Sequence, residues 1–138
     1  MVDEYSLSTD KSKLDLEMIH DFLSNQAYWA KGRSMSAVNK SIENSFCIGI
    51  YTSNGQQVAF SRILTDYVAI GYIMDVFVLP EHRGKGLGKR LIEFIIHYED
   101  FKNLKRFILG TQDAHGLYKQ FGFKILEKPE NWMELKQL

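Results

Sequence analysis

The residues best placed to do chemistry lie in one short run, Arg83-Gly84-Lys85-Gly86-Leu87-Gly88-Lys89-Arg90. From His82 to Arg90 the chain carries Arg83, Lys85, Lys89 and Arg90 and no acidic residue. Glycine at 84, 86 and 88 lets backbone amides turn inward and come close to a ligand. Those amides, together with the positive end of the helix that follows, form an anion site. Arg83, Lys85 and Lys89 add charge around it, and the chemistry this suggests is a cradle for a pyrophosphate. Two phosphate-binding patterns fail on spacing. A P-loop needs four residues between its glycines and then Lys with Ser or Thr. Here Gly84 and Gly88 enclose only three, and Lys89 is followed by Arg90. A dinucleotide-binding G-x-G-x-x-G would put its third glycine at position 89, which is lysine. What remains is R-x-x-G-x-G, satisfied by Arg83, Gly86 and Gly88.

Such a loop needs a strand to enter it and a helix to leave it. Residues 68–79 supply the strand, stopped by Pro80. Residues 89–98 supply the helix, with Leu87, Leu91, Phe94, Ile95 and Tyr98 marking one face. Upstream, residues 3–8 are predicted as a strand. Residues 14–25 are predicted as a helix in which Leu16, Ile19, Phe22 and Leu23 recur at helical spacing, and residues 36–43 as a second helix. Phe46–Thr52 and Gln57–Thr65 read as strands joined by Ser53-Asn54-Gly55, an asparagine–glycine hairpin turn. Downstream, a strand is predicted at 106–109, a helix at 113–121, and strands at 123–126 and 132–135. Hairpins fill the first half and βα units the second. The predicted fold class is α/β (α+β), a single domain over residues 1–138 with a mixed, mostly antiparallel sheet and helices on both faces.

Composition narrows the function classes. Apolar content of 45% and charged content of 25% suit a soluble globular chain. Seventeen basic residues balance 17 acidic ones, so no overall field favours nucleic acid or a membrane surface. Cys47 is the single cysteine, and no intramolecular disulfide can form, which fits a reducing compartment. Residues 1–10 show no signal pattern, and no apolar run approaches the roughly 20 residues of a membrane span. A cytoplasmic location is expected. His20, His82, His97 and His115 have no ligand spacing with Cys47, so no metal site is expected.

A second segment, Ala114-His115-Gly116-Leu117-Tyr118-Lys119-Gln120-Phe121-Gly122-Phe123, follows the glycine loop after one strand. With the lead-in Leu79-Pro80-Glu81-His82-Arg83, the two segments resemble the GNAT superfamily of N-acetyltransferases, over roughly residues 73–123. The resemblance implies that Arg83, Gly84, Lys85, Gly86, Leu87, Gly88 and Lys89 hold the pyrophosphate of acetyl-coenzyme A. It also implies that the backbone of Phe77 and Val78 serves the pantetheine arm and the thioester, and that the sheet splays between its fourth and fifth strands. Members often carry Asn where this chain has Thr111, whose hydroxyl would take that cofactor contact. The implied activity is transfer of acetyl to a primary amine of a small molecule or peptide. The alternatives are a non-catalytic acyl-coenzyme A-binding module and an enzyme using a longer acyl donor or a hydroxyl acceptor.

An alkylamine with a pKa near 10.4 is unprotonated in only about one molecule in a thousand at neutral pH, so direct attack needs a route for its proton. It also needs a donor for the departing sulfur. Tyr118 stands in the family's acid position and is expected to be that donor, with the Val78 amide holding the thioester oxygen. Asp75 is expected either to act as the base through water or to make a structural salt link to Arg62. Asp113, His115 and water alone are the other routes. Without catalysis, Tyr118 would be a packed aromatic, and Cys47 reads as a small core residue. Tyr28, Trp29 and Arg33 lie between the first two helices, a loop that borders the acceptor in relatives. They are expected to line an acceptor pocket, with Arg33 favouring a carboxylate or phosphate on the acceptor. Relatives are often dimers, which keeps a homodimer open. The acceptor itself is not readable.

Overall fold

A computed structural model of the protein describes residues 4–137. The sheet has five strands in chain order, β1 (Tyr5–Ser8), β2 (Phe46–Thr52), β3 (Gln57–Thr65), β4 (Ile70–Val78) and β5 (Arg106–Ile108). The first three pairings are antiparallel and β4–β5 is parallel, as a βα crossover requires. Helices α1 (Leu16–Asn25) and α2 (Met35–Glu43) cover one face, while α3 (Leu87–His97) covers the other.

Local chemistry sets the element ends. The Asp15 carboxylate accepts from the Met18 amide, and the Ser34 hydroxyl from the Ala37 amide, starting α1 and α2. Asp66 accepts from the amides of Val68 and Ala69, which delays β4 to Ile70 rather than residue 68. Gly86, at φ +79, ends the loop, so α3 begins at Leu87, earlier than the predicted residue 89. Among the described residues the predicted helix at 113–121 is only α4 (His115–Lys119). The first predicted strand begins at residue 3, outside the described residues.

Two cores follow from strand alternation. On the α3 side, Ile48, Ile50, Val58, Ile63 and Ile73 meet Leu87, Leu91, Ile92 and Ile95. On the other side, Cys47, Phe60 and Phe77 meet Ile19, Phe22 and Leu23 of α1 and Val38 and Ile42 of α2. Phe77 stacks on Phe22 at 4.1 Å between ring centroids, and Phe60 lies 5.9 Å from Phe77.

The predicted strands at 123–126 and 132–135 are absent. Phe123, Leu126 and Trp132 instead fold over β5 and α4 and line a cavity of about 400 Å³. Ile125, Met133 and Leu135 stay exposed. Alternating apolar residues make a strand only where a ladder partner is present, because β propensity mainly measures packing on a sheet.

A β-bulge interrupts β4. Phe77 pairs with Phe60 and Met74 with Arg62, so Ser61 alone faces both Asp75 and Val76. Asp75 takes φ +53 there. Strand alternation predicts Asp75 on one face with both Ile73 and Phe77, but these two residues lie on opposite faces of the sheet. The bulge inverts the register, leaving Ile73 on the α3 side and Phe77 on the α1 side.

Phe60 is fully buried on the α1 side of the sheet. Phe60→Ala is expected to lower stability by about 3–5 kcal/mol, and Phe60→Leu by much less, read as a shift in the denaturant midpoint.

Candidate active site

The site begins where β5 leaves β4. Their ladder runs over Ile70–Arg106, Gly71–Phe107 and Tyr72–Ile108 and then stops. Beyond it β4 has a neighbour only on the β3 side. Phe77 pairs with Phe60, and the Leu79 amide donates to the Val58 carbonyl at 2.8 Å. Residues 77 and 79 therefore turn their backbone groups to β3. Val78, between them, turns its amide and carbonyl into the opening. Its carbonyl accepts from Nε of Arg83 at 3.0 Å, which ties the glycine loop to the end of the strand. Of the two backbone positions implied for the pantetheine arm, Val78 thus offers polar groups, whereas Phe77 contributes the buried ring stacked on Phe22.

A groove of about 620 Å³ runs from this opening to the glycine loop, lined by Val76, Phe77, Val78, Arg83, Gly84, Gly86, Leu87, Gly88 and Lys89. Gly84 and Gly86 each hold φ +79, a left-handed conformation that glycine adopts without cost. The first intrahelical bond at this end runs from the Arg90 amide to the Gly86 carbonyl at 3.1 Å. The amides of Leu87, Gly88 and Lys89 are left over at the positive end of the helix. These groups fit a pyrophosphate. Lys85 stands apart from the groove lining, its ammonium 5.7 Å from the centroid of the Tyr5 ring. Tyr5 braces the loop from behind: its hydroxyl hydrogen-bonds Nδ1 of His82 at 2.8 Å, and its carbonyl accepts from Arg90 at 3.2 Å. That brace has no sequence signal, since the partners are 77 and 85 positions apart.

A second cleft of about 540 Å³ opens on the other side of the parting strands. The two spaces share Tyr28, Trp29, Val76, Asp113, Ala114 and Tyr118, so Tyr118 stands at their junction. Tyr118 is 7% exposed and sits edge-on to Phe123. Burial pushes its hydroxyl up to about 12, with smaller contributions from Tyr28 and the nearby Asp113 carboxylate. Asp113 lines both spaces, while His115 lies at the cavity under the C-terminal segment. Thr111 lines the second cleft rather than the groove, and its hydroxyl accepts from the Ala114 amide at 3.0 Å, turning the chain into α4.

The loop between α1 and α2 forms the outer wall. Tyr28 crosses the opening, and its hydroxyl accepts from the Gln112 amide at 2.8 Å. Trp29 packs edge-on against Tyr28 and donates from Nε1 to Oδ1 of Asp75 at 2.7 Å. Oδ2 of Asp75 accepts from Nη1 of Arg33 at 2.7 Å and from Nε of Arg62 at 2.6 Å. Arg62 in turn reaches the Ser45 hydroxyl at 3.2 Å. The link to Arg62 that the sequence offered as an alternative to catalysis is present. The structure therefore brings Tyr28, Trp29, Arg33 and Asp75 to one wall and Tyr118 to the other.

The Asp75 side chain is only 1% exposed. Burial is the largest single influence and would raise its pKa, but the bonds to Arg62 and Arg33 together outweigh it and hold the carboxyl below the ordinary range. A carboxyl with a lowered native pKa adds stability above its unfolded pKa of about 3.9, and that contribution is lost as pH falls through the native value. Asp75→Asn leaves Arg62 buried without a counter-charge and is expected to cost about 3–5 kcal/mol. In urea unfolding from pH 8 down to 3, the gap between the two proteins should stay constant to about pH 5 and narrow below about pH 4.

The chain resembles known proteins over most of its length. Residues 16–123 match the model of the Acetyltransferase (GNAT) family. A solved structure from Xanthomonas campestris pv. campestris, assigned to the same family, is 42% identical with a TM-score of 0.94, over 97% of this chain and 94% of that one. A Gibberella zeae protein assigned as an acetyltransferase is 30% identical over 88% of this chain and 80% of its own length. Over a shorter stretch, 47% of this chain and 41% of the other, the mouse thialysine N-epsilon-acetyltransferase is 30% identical. Members of the family use acetyl-coenzyme A. With a splayed strand, a glycine loop opening a helix beside it and these matches, the chain belongs to the GNAT family of acetyltransferases.

Proposed function

We propose that the protein transfers acetyl from acetyl-coenzyme A to a primary amine of a small molecule, with Tyr118 as general acid. The single observation that carries this reading is Tyr118 at the junction of the two clefts, one lined by the phosphate-type loop and the other by the Tyr28–Trp29–Arg33 wall. The thialysine enzyme among the relatives acts on a small amine, which fits an acceptor cleft of about 540 Å³.

Acetyl-coenzyme A, when bound, supplies the reactive thioester. The chain's residues do the rest. The left-over amides of Leu87, Gly88 and Lys89 and the guanidinium of Arg83 hold negative charge at the loop. The Val78 amide donates toward the thioester oxygen. Tyr118, kept protonated by burial, donates to the departing sulfur and passes its proton as charge develops there. The carboxylate of Asp113 draws the cationic amine to the junction, and the amine's proton leaves to water in the open cleft. Asp75, with both oxygens engaged, positions Trp29 and Arg33 instead of acting as the base.

Two tests address this reading. Gly88 has ordinary helical surroundings, and an added Cβ would meet only Leu117 at 3.7 Å, so folding does not demand glycine there. Gly88→Ala should keep or raise thermal stability, since alanine favours helix by up to about 1 kcal/mol. It should also weaken coenzyme A binding about tenfold or more in a calorimetric titration, because the methyl stands among the amides that meet phosphate. Unchanged binding would remove the loop from the cofactor site.

Tyr118→Phe should lower kcat by about 10²-fold or more and leave coenzyme A affinity within about threefold. With its pKa raised to about 12, Tyr118 stays protonated through the physiological range. The wild-type kcat should then show no alkaline loss below about pH 10. A fall of kcat between pH 8 and 9 together with an active Tyr118→Phe variant would sink Tyr118 as the acid.

A further inference from the structure

Among the described residues, three charged side chains line the acceptor cleft: Arg33, Asp75 and Asp113. Asp75 is already spent, because one carboxylate serves two guanidinium groups. Arg33, Arg62 and Asp75 together keep one net positive charge. Arg62 is 10% exposed and lies behind the wall, whereas Arg33 is 21% exposed and lines the cleft. The contact with Asp75 engages Nη1 alone, and no other hydrogen bond among the described residues engages Nε or Nη2 of Arg33. The surplus charge is thus presented to the cleft as a fork suited to a planar anion. At the other pole, Asp113 presents a carboxylate beside Tyr118, where the reacting amine must arrive.

We propose that the acceptor is a small amino acid bound by both of its charges, its carboxylate on Arg33 and its amine at Asp113 beside Tyr118. This rests on the acetyl-transfer reading above. One surplus positive charge matches a carboxylate; a phosphate monoester, at about −1.5 to −2, would leave charge unmatched. Asp75 then acts as a positioning residue. It holds Arg33 and Trp29 against the bulge before the acceptor arrives, so the fork is ordered in advance. Selectivity follows because an acceptor lacking its carboxylate leaves the cluster's charge without a partner.

The test compares amino acids with their methyl esters, using wild type, Arg33→Gln and Arg33→Lys. Acetylation gives kcat/KM for each acid and ester. Calorimetric titration of the same pairs into the coenzyme A-saturated protein gives affinity without turnover. Wild type should favour at least one acid over its ester by about 30-fold or more in both measurements, as expected for a site built around a polar partner. Arg33→Gln should bring that ratio to within about threefold of unity, chiefly by lowering kcat/KM for the acid; Arg33→Lys should restore part of the preference. Comparing variants on the same pair cancels the difference in amine pKa between acid and ester. Equal use of acids and esters by wild type, or a preference that survives Arg33→Gln, would overturn the proposal and leave acetyl transfer standing. So would turnover of plain amines or polyamines alone, and so would coenzyme A binding with no use of any amino acid. Failure to bind coenzyme A at all would overturn both readings.

Discussion

Past Tyr72, strand β4 runs on with a partner on one side only. Backbone amides and carbonyls inside a protein must be satisfied, and a strand that loses its neighbour leaves a row of them open. The organisation of the site answers that one constraint. Arg83 reaches back from the glycine loop to take the Val78 carbonyl. Tyr28 crosses from the α1–α2 loop to take the Gln112 amide on the far bank of the opening. The Val78 amide is left facing the space where the proposed thioester lies. A continuous five-stranded ladder would have consumed that donor, and the groove and the second cleft would not exist.

The bulge at Asp75 is the second consequence of the same strand. Inserting one residue turns a carboxylate from the α3 side of the sheet to the α1 side, where it meets Arg62, Arg33 and Trp29. A buried carboxylate is unfavourable without partners, and here two guanidinium groups and an indole N–H supply them. The same contacts pin the loop carrying Tyr28, Trp29 and Arg33 to β4. One ion cluster therefore satisfies a buried charge, fixes a loop that has no regular structure of its own, and leaves its surplus positive charge at the second cleft.

Charge in this protein is organised locally. The chain as a whole is neutral. Its glycine loop nonetheless gathers cations beside a helix N-terminus, and its second cleft sets Arg33 against Asp113. Tyr118 lies between these two fields with its hydroxyl held neutral by burial. Lys85, though it belongs to the same run of sequence, is directed to Tyr5 rather than to the groove lining. Position along the chain is thus an imperfect guide to where a charge acts.

What the amino-acid sequence determines by itself is whatever depends on neighbours in the chain. The Asn54-Gly55 turn, the capped helices, the strands Phe46–Thr52 and Gln57–Thr65, and the strand–glycine loop–helix unit all rest on interactions within a few residues. For the same reason the glycine loop could be singled out from spacing alone, whereas Tyr118 stood out only through the resemblance of its segment to the GNAT family. Tertiary structure decided the rest. The bulge that reversed the facing of Asp75 depends on register with Ser61, and nothing local to β4 announces it. The Tyr5–His82 brace, the Tyr28–Gln112 bridge and the bonds from Trp29 and Arg33 to Asp75 join residues 42 to 84 positions apart. The segments at 123–126 and 132–135 have strand-like alternation but no ladder partner, so they pack as irregular chain over β5 and α4. Local preference sets what a segment can become, and only the contacts available in the folded chain select which face it shows and what it touches.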